Sequence, residues 1–181
     1  DEIEFSPDLK GPFQLENYRT VFAACKILNL EKRIELKIDK IKSAFQNTTD
    51  YSKIMGRWQW MEEISKILLE SAHNQDGIQF LMNWLMQQYY DEQHIVIGFV
   101  NDKPLDEVLN LLPRNAHYYF VNAQLPRALK ASELKEKAAL YNLRGKAYKS
   151  VKNGFLAAKK KAGKNDIIVV TGSILVVAEV I

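Results

Sequence analysis

H-I-V-I-G-F-V at 94–100 and D-I-I-V-V-T-G-S at 166–173 are unbroken apolar runs that meet a glycine near their carboxyl ends. Continuous runs, unlike alternating ones, mark strands buried on both faces, as in a parallel sheet with helices on either side. Outward from these two runs the pattern repeats. Ile64 to Leu69 reads as a strand, and Ala116 to Val121 as another, with Lys146 to Tyr148 as a short third. Between them lie amphipathic stretches. Asp76 to Tyr89 reads as a helix with Ile78, Leu81, Met82 and Leu85 on one face. Leu105 to Leu112 stops at Pro113, and Ser132 to Leu143 starts on Ser132 as a plausible N-cap. Val151 to Ala162 is rich in Lys and ends at Gly163, and Ser173 to Val180 closes the chain. Strand–helix alternation with short joints implies an α/β fold: an open, mostly parallel sheet with helices on both sides.

The first fifty residues read differently. Leu15, Tyr18, Phe22, Cys25 and Leu28 recur at helical spacing, predicting a helix from about Gln14 to Leu30. Ile38, Ile41 and Phe45 predict a short second helix, and Q-N-T-T-D at 46–50 reads as a polar connection. These helices offer no obvious core of their own. The expected organisation is 1–50 as the end of a domain whose body is missing, 51–63 as a linker and 64–181 as the α/β domain. In that linker Trp58 and Trp60, two residues apart, suit one face of a strand. A chain beginning at Asp1 is expected to have been processed or cut from something longer.

Composition narrows the function. The chain has 181 residues, with 25 Lys and Arg against 22 Asp and Glu, a net charge of +3. The 47% apolar and 26% charged fractions are globular values and exclude disorder and collagen. A net +3 gives no argument for a nucleic-acid partner, and the Lys159–Lys161 run reads as a solvated helix end favoured by the dipole. Cys25 stands alone, so no internal disulfide forms, which suits a reducing compartment. No apolar run approaches the ~18 residues of a membrane span, and no secretory leader is evident. No membrane partner and a cytoplasmic location are the expectations.

In open parallel sheets, ligands sit beyond the carboxyl ends of the strands, so chemistry is sought at the strand-to-helix joints. The first joint, Glu70-Ser71-Ala72-His73-Asn74, offers a carboxylate, a hydroxyl, an imidazole and an amide. Asn74 suits a helix cap, and His73 suits a carboxylate ligand or a proton transfer; a plain cap beside a surface histidine is the plainer reading. Gly98 to Pro104 contributes Asp102 and Lys103, which suit either a ligand or local pairing. Pro126-Arg127-Ala128 contributes a fixed cation, and Thr171-Gly172-Ser173 a tight turn with a hydroxyl. Gly56-Arg57 places a guanidinium between the two parts of the chain. His94 and His117 open strands and read as structural. There is no G-x-G-x-x-G, no G-x-x-x-x-G-K-[ST], no zinc-spaced Cys/His set and no G-x-S-x-G elbow.

Taken in order, these motifs resemble folylpolyglutamate synthase and the bifunctional dihydrofolate synthase, ATP-dependent ligases related to the Mur peptidoglycan ligases. Gln14-Leu15-Glu16-Asn17 is similar to the family's H-Q-x-x-N, Gly56-Arg57 to P-G-R, and Glu70 to Asn74 to D-G-A-H-N. Gly98 to Lys103, Pro126-Arg127-Ala128 and Thr171-Gly172-Ser173 are similar to G-x-x-x-D-K, P-R-A and [CT]-G-S. Phe13, Met55, Glu70 and Gln75 depart from the pattern, which has His, Pro, Asp and Pro there.

The resemblance implies a Rossmann-like C-terminal ligase domain preceded by helices left from a truncated ATPase domain, with the active site between the two domains. It implies ADP-forming addition of L-glutamate to folate or dihydropteroate through an acyl phosphate, with ATP and Mg2+ as cofactors. The magnesium ligands and phosphate loop are expected in the missing N-terminal ATPase domain, so this chain alone is expected to be inactive. Asn17, Arg57 and Glu70 would then contact ATP, and His73 and Ser173 the incoming glutamate, with His73 as the catalytic candidate. Gln14, Asn74, Asp102, Lys103 and Arg127 would line the cleft. The alternative from another class is a stand-alone, non-catalytic Rossmann-like binding or interaction module.

Overall fold

The computed structural model describes residues 5–62, 66–101 and 105–181. The chain divides into two compact units, Asp1–Trp58 and Gln59–Ile181.

In the first unit, α1 (Gln14–Leu30) takes up the predicted span, α2 covers Ile38–Gln46 and α3 covers Thr48–Ser52. The unit has a small aromatic core after all. Tyr18, Ile41 and Phe45 are buried, with Phe5, Leu9, Phe22, Cys25 and Leu36 packed against them. The Tyr18 and Phe45 rings lie 4.6 Å apart. Of the polar stretch 46–50 read as a connection, Gln46 ends α2, Asn47 caps α3 and the last three residues open it. Its opening N–H groups are held by a distant carboxylate: Asp8 accepts from Thr48 N at 3.0 Å, from Thr49 N at 2.8 Å and from the Thr49 hydroxyl.

The second unit is a six-stranded sheet: β1 (Gln59–Glu62), β2 (Lys66–Leu69), β3 (Gln93–Ile97), β4 (His117–Phe120), β5 (Gly145–Ala147) and β6 (Ile167–Thr171). The spatial order is β1-β2-β6-β3-β4-β5, and every pairing except β1 with β2 is parallel. Residues 59–62, taken from sequence as linker, thus form an antiparallel edge strand. Of the two tryptophans, only Trp60 lies in that strand, with its ring 5.8 Å from Trp84. Trp58 has φ 51°, belongs to the first unit and packs against Phe13 instead. The stretch from Ile64 to Leu69 is a strand from Lys66 on; Ile64 and Ser65 lie outside the described residues.

Both faces of the sheet are covered, as the continuous runs demand. Ile67, Leu69, Val96, Tyr119, Ile168 and Val170 pack with Val151, Phe155 and Ala158 of α7 (Val151–Lys161) and with Val176 and Val177 of α8 (Ile174–Ala178). The alternate residues Leu68, Ile95, Ile97, Tyr118, Phe120 and Val169 are equally buried and point the other way. The remaining helices, α4 (Gln75–Leu85), α5 (Asp106–Leu111) and α6 (Ala131–Ala139), carry their own buried stripes, among them Ile78, Leu81, Leu109 and Leu134. The α6 helix starts earlier than read from Ser132. Its N-cap position is Lys130, and the first N–H, of Ala131, donates to Asn122 Oδ1 at 3.3 Å. No helix among the described residues is long and apolar enough to cross a membrane.

Candidate active site

The chain leaves β2 for α4, enters β3, β4 and β5 in turn, and returns through α7 to insert β6 between β2 and β3. The connections therefore diverge at the carboxyl ends of β2, β6 and β3, where an open α/β sheet forms a crevice. Three joints meet there. The β2 exit is stitched to the β6 exit: Glu70 N donates to Val170 O at 3.0 Å, Gly172 N to Ala72 O at 2.9 Å, and the Thr171 hydroxyl to Ala72 O at 3.2 Å. Gly172 has φ +96°, and a Cβ there would stand 2.5 Å from the Gly98 carbonyl oxygen. Only glycine lets the β6 and β3 exits come this close.

The β3 and β4 exits are joined in the same way. Asn101 N donates to Arg127 O and Leu129 N to Phe99 O, both at 2.9 Å, and Val100 bridges Ala128. The result is a cavity of about 220 Å³ lined by His73, Phe99, Val100, Arg127, the Gly172–Ser173 turn and the start of α8. His73, Arg127 and Ser173, singled out separately in the sequence, share one wall system.

The local geometry gives each a definite chemical capacity. Asn74 is the N-cap of α4, its Oδ1 accepting from Gly77 N at 3.0 Å, so its side chain is used structurally. Ser173 is the N-cap of α8: its hydroxyl oxygen accepts from Leu175 N at 3.2 Å, which leaves the O–H proton for a ligand. His73 Nδ1 lies 2.9 Å from Ser71 O. A carbonyl only accepts, so Nδ1 carries the proton and a neutral ring presents Nε2 as an acceptor. Among the described residues no carboxylate pairs with Arg127. An exposed guanidinium, a hydroxyl donor and an imidazole around one cavity suit an anionic, amine-bearing ligand.

Glu70 is buried at the β2 exit and does not line this cavity. Asp102 and Lys103 lie outside the described residues. In the first unit, Gln14 is buried and its Oε1 accepts from Asn17 Nδ2 at 2.9 Å. Gly11 separates Gln14 from Trp58: a Cβ on Gly11 would lie 3.0 Å from Trp58 Cβ and 3.4 Å from Gln14 Cγ. Arg57 is exposed beside them, between Gly56 at φ 71° and Trp58 at φ 51°. Gln14 and Asn17 are therefore joined, with Trp58 near Gln14 across Gly11 and Arg57 preceding Trp58 in the chain. What sequence reasoning passed over is the apolar wall: Phe99, Val100 and Leu175 were not singled out, and only the topology shows them facing a cavity.

For a metal, one group among the described residues comes close enough, Glu92 with His94 and Asp166. It stands at the amino ends of β3 and β6, away from the cavity. Asp166 already accepts from Gly163 N at 2.7 Å, Glu92 N at 3.0 Å and the His94 ring at 3.2 Å. These residues do not fit the magnesium of an ATP site at the carboxyl edge.

The family model described as Mur ligase, glutamate ligase domain, matches residues 56–174. This chain is a member of that family. It is 24% identical over 95% of its length to the dihydrofolate synthase/folylpolyglutamate synthase of Bacillus subtilis, of which it covers 39%. It is similar to the solved structure of E. coli FolC in complex with DHPP and ADP, with a TM-score of 0.74 and 25% identity, over 97% of this chain and 39% of that one. A bifunctional folylpolyglutamate synthase/dihydrofolate synthase with Mn, AMPPNP and L-glutamate bound matches with a TM-score of 0.68 and 25% identity, over 81% and 34%. The chain thus spans well under half the length of these relatives. The glutamate ligase domain model covers all four joints that form the cavity except the last residue of its lining, Leu175.

Proposed function

We propose that the chain is the C-terminal part of a cytoplasmic, ADP-forming ligase that joins L-glutamate to folate or dihydropteroate. The observation that carries this is the convergence of His73, Arg127 and Ser173 on one cavity inside the region matched as a glutamate ligase domain. A carboxylate is a poor electrophile. Transfer of the ATP γ-phosphoryl group to its oxygen releases ADP and gives an acyl phosphate. The glutamate amine then attacks the carbonyl carbon, the C–N bond forms, the C–O bond to phosphate breaks, and phosphate and a proton leave.

Arg127 and the Ser173 hydroxyl hold the carboxylates of glutamate, which fixes the amine relative to the acyl group. In the neutral tautomer that donates Nδ1–H to Ser71 O, His73 Nε2 is the acceptor for the amine proton. Arg57, exposed between the positive-φ residues Gly56 and Trp58, serves the ATP phosphates, and Asn17 with Gln14 serves the adenine end. Glu70, buried at the β2 exit outside the cavity, is assigned to the nucleotide rather than to glutamate. The magnesium ligands and phosphate loop belong to the N-terminal ATPase domain, and the 181-residue chain alone does not catalyse the ligation.

The test is a ligase assay on the full-length gene product with ATP, L-glutamate and a pteroate acceptor. Ser173→Ala removes one hydrogen bond to a charged ligand, about 1.5 kcal/mol or more, and should raise the glutamate KM about tenfold with the acceptor KM unchanged. His73→Ala and Arg57→Ala should each lower kcat/KM about a hundredfold with unaltered melting curves. Wild-type kinetics in all three variants overturns the assignment.

A further inference from the structure

Eight of the chain's 25 Lys and Arg residues fall between Arg144 and Lys164, and no Asp or Glu falls among them. The rest of the chain therefore holds 17 basic residues against 22 acidic ones. A modest net charge conceals this concentration, and the fold gathers part of it. Arg144, Lys146 and Lys161 line a cavity of about 320 Å³ between the edge strand β5 and α7. No carboxylate lines the cavity, and among the described residues none pairs with these three cations.

The wall between the cations is rigid and aromatic. Tyr119 is buried and its ring stacks on Tyr148 at 5.8 Å and 29°. The Lys161 ammonium lies 3.0 Å from the His117 ring nitrogens, and His117 Nε2 lies 2.9 Å from Glu92 Oε2. With Nε2–H donating to Glu92, Nδ1 accepts from Lys161, so His117 positions the ammonium and leaves its other protons free. Three cations line the concavity while the one carboxylate beside it, Glu92, is engaged by His117, so a positive potential is focused there. Two or more negative charges on one ligand suit that potential, and the Arg144 fork matches a carboxylate or phosphate bidentately.

We propose that this cavity binds a small polyanion, a molecule carrying two or more carboxylates or phosphates. It lies toward the amino ends of β4 and β5, at the other edge of the sheet from His73, Arg127 and Ser173, and stands independently of the ligase reading. The probes are pyrophosphate and tri-γ-glutamate, titrated calorimetrically into the 181-residue chain at low and high salt. At least one should bind at a single site, with affinity falling steeply as salt rises. Arg144→Gln and Lys161→Gln should each weaken that binding about tenfold. Lys152→Gln with Lys160→Gln removes charge from the same basic stretch without touching the cavity and should weaken it less than twofold.

Binding of pyrophosphate alone identifies a phosphate site, and of tri-γ-glutamate alone a polycarboxylate site; either supports the proposal. In wild-type protein, amide shifts should gather at Gly145, Lys146 and Lys161. Binding of neither probe, equal losses in the off-cavity variant, or shifts gathered at His73 and Ser173 would each overturn it.

Discussion

Gly172→Ala is expected to lower the unfolding midpoint by about 10 °C and to abolish the L-glutamate binding proposed for the carboxyl edge. The backbone at Gly172 has φ +96°, which L side chains rarely adopt, and strain of this kind costs about 1–3 kcal/mol. The new methyl group would also meet the Gly98 carbonyl oxygen at 2.5 Å and Ile97 Cγ1 at 3.0 Å. A carbonyl on the end of a central strand cannot rotate aside as a long side chain can, so overpacking adds about 1–3 kcal/mol. A combined loss of about 3 kcal/mol corresponds to roughly 10 °C in a chain of this size.

The binding loss follows from the same contact. Pushing the β6 exit from the β3 exit moves Ser173 relative to Phe99 and Val100, which share its cavity. Gly163→Ala is the control. Its Cβ would meet only the Asp166 carboxyl group, Oδ2 at 3.5 Å and Cγ at 3.9 Å, ordinary contacts without a positive φ. A Gly172→Ala melting curve within 2 °C of wild type would show that this close approach is not what the sheet depends on.

The sheet was legible because burial on both faces writes itself as uninterrupted apolar residues, and 95–97 and 167–170 are such runs. Its helices were legible where one stripe is apolar, and α1 was predicted to the residue. Elements fixed by distant partners were not. Nothing in Q-N-T-T-D announces α3, because its capping carboxylate, Asp8, lies about forty residues earlier. The start of α6 is set by Asn122 from the loop after β4, not by Ser132 in its own first turn.

The joints announced their polar residues, and parallel strands deliver all their carboxyl ends to one edge. That is why His73, Arg127 and Ser173, each singled out at its own joint, end on one cavity. The cationic cavity could not be foreseen in this way. Arg144 and Lys161 are seventeen positions apart, and only the return of α7 across the sheet brings them to one wall.

Acidification below pH 6.5 is expected to destabilise the second unit through one buried pair. His94 is fully buried, with Nδ1 3.0 Å from the Tyr119 hydroxyl and Nε2 3.2 Å from Asp166 Oδ2. Burial holds its pKa below the ordinary 6.5, with the charges of His117 and Lys161 adding to the effect and Asp166 opposing it. Burial alone would raise the Asp166 carboxyl. The N–H groups of Gly163 and Glu92, with the His94 ring, outweigh that and hold it below 3.8.

The sign is the same for both groups. Below 6.5 the unfolded chain binds a proton at His94 that the folded chain refuses, so stability falls as pH falls through that window. The Asp166 contribution is complete above 3.8 and disappears only below it. Urea midpoints should therefore be level between pH 7 and 8 and decline from 6.5 to 5, and His94→Gln should flatten the decline. Asp166→Ala should cost about 3 kcal/mol at pH 7, since it strips an acceptor from Gly163 N, Glu92 N and the His94 ring together. A wild-type midpoint that does not move between pH 7 and 5, or a His94→Gln variant that keeps the full slope, would remove His94 as the origin of acid sensitivity.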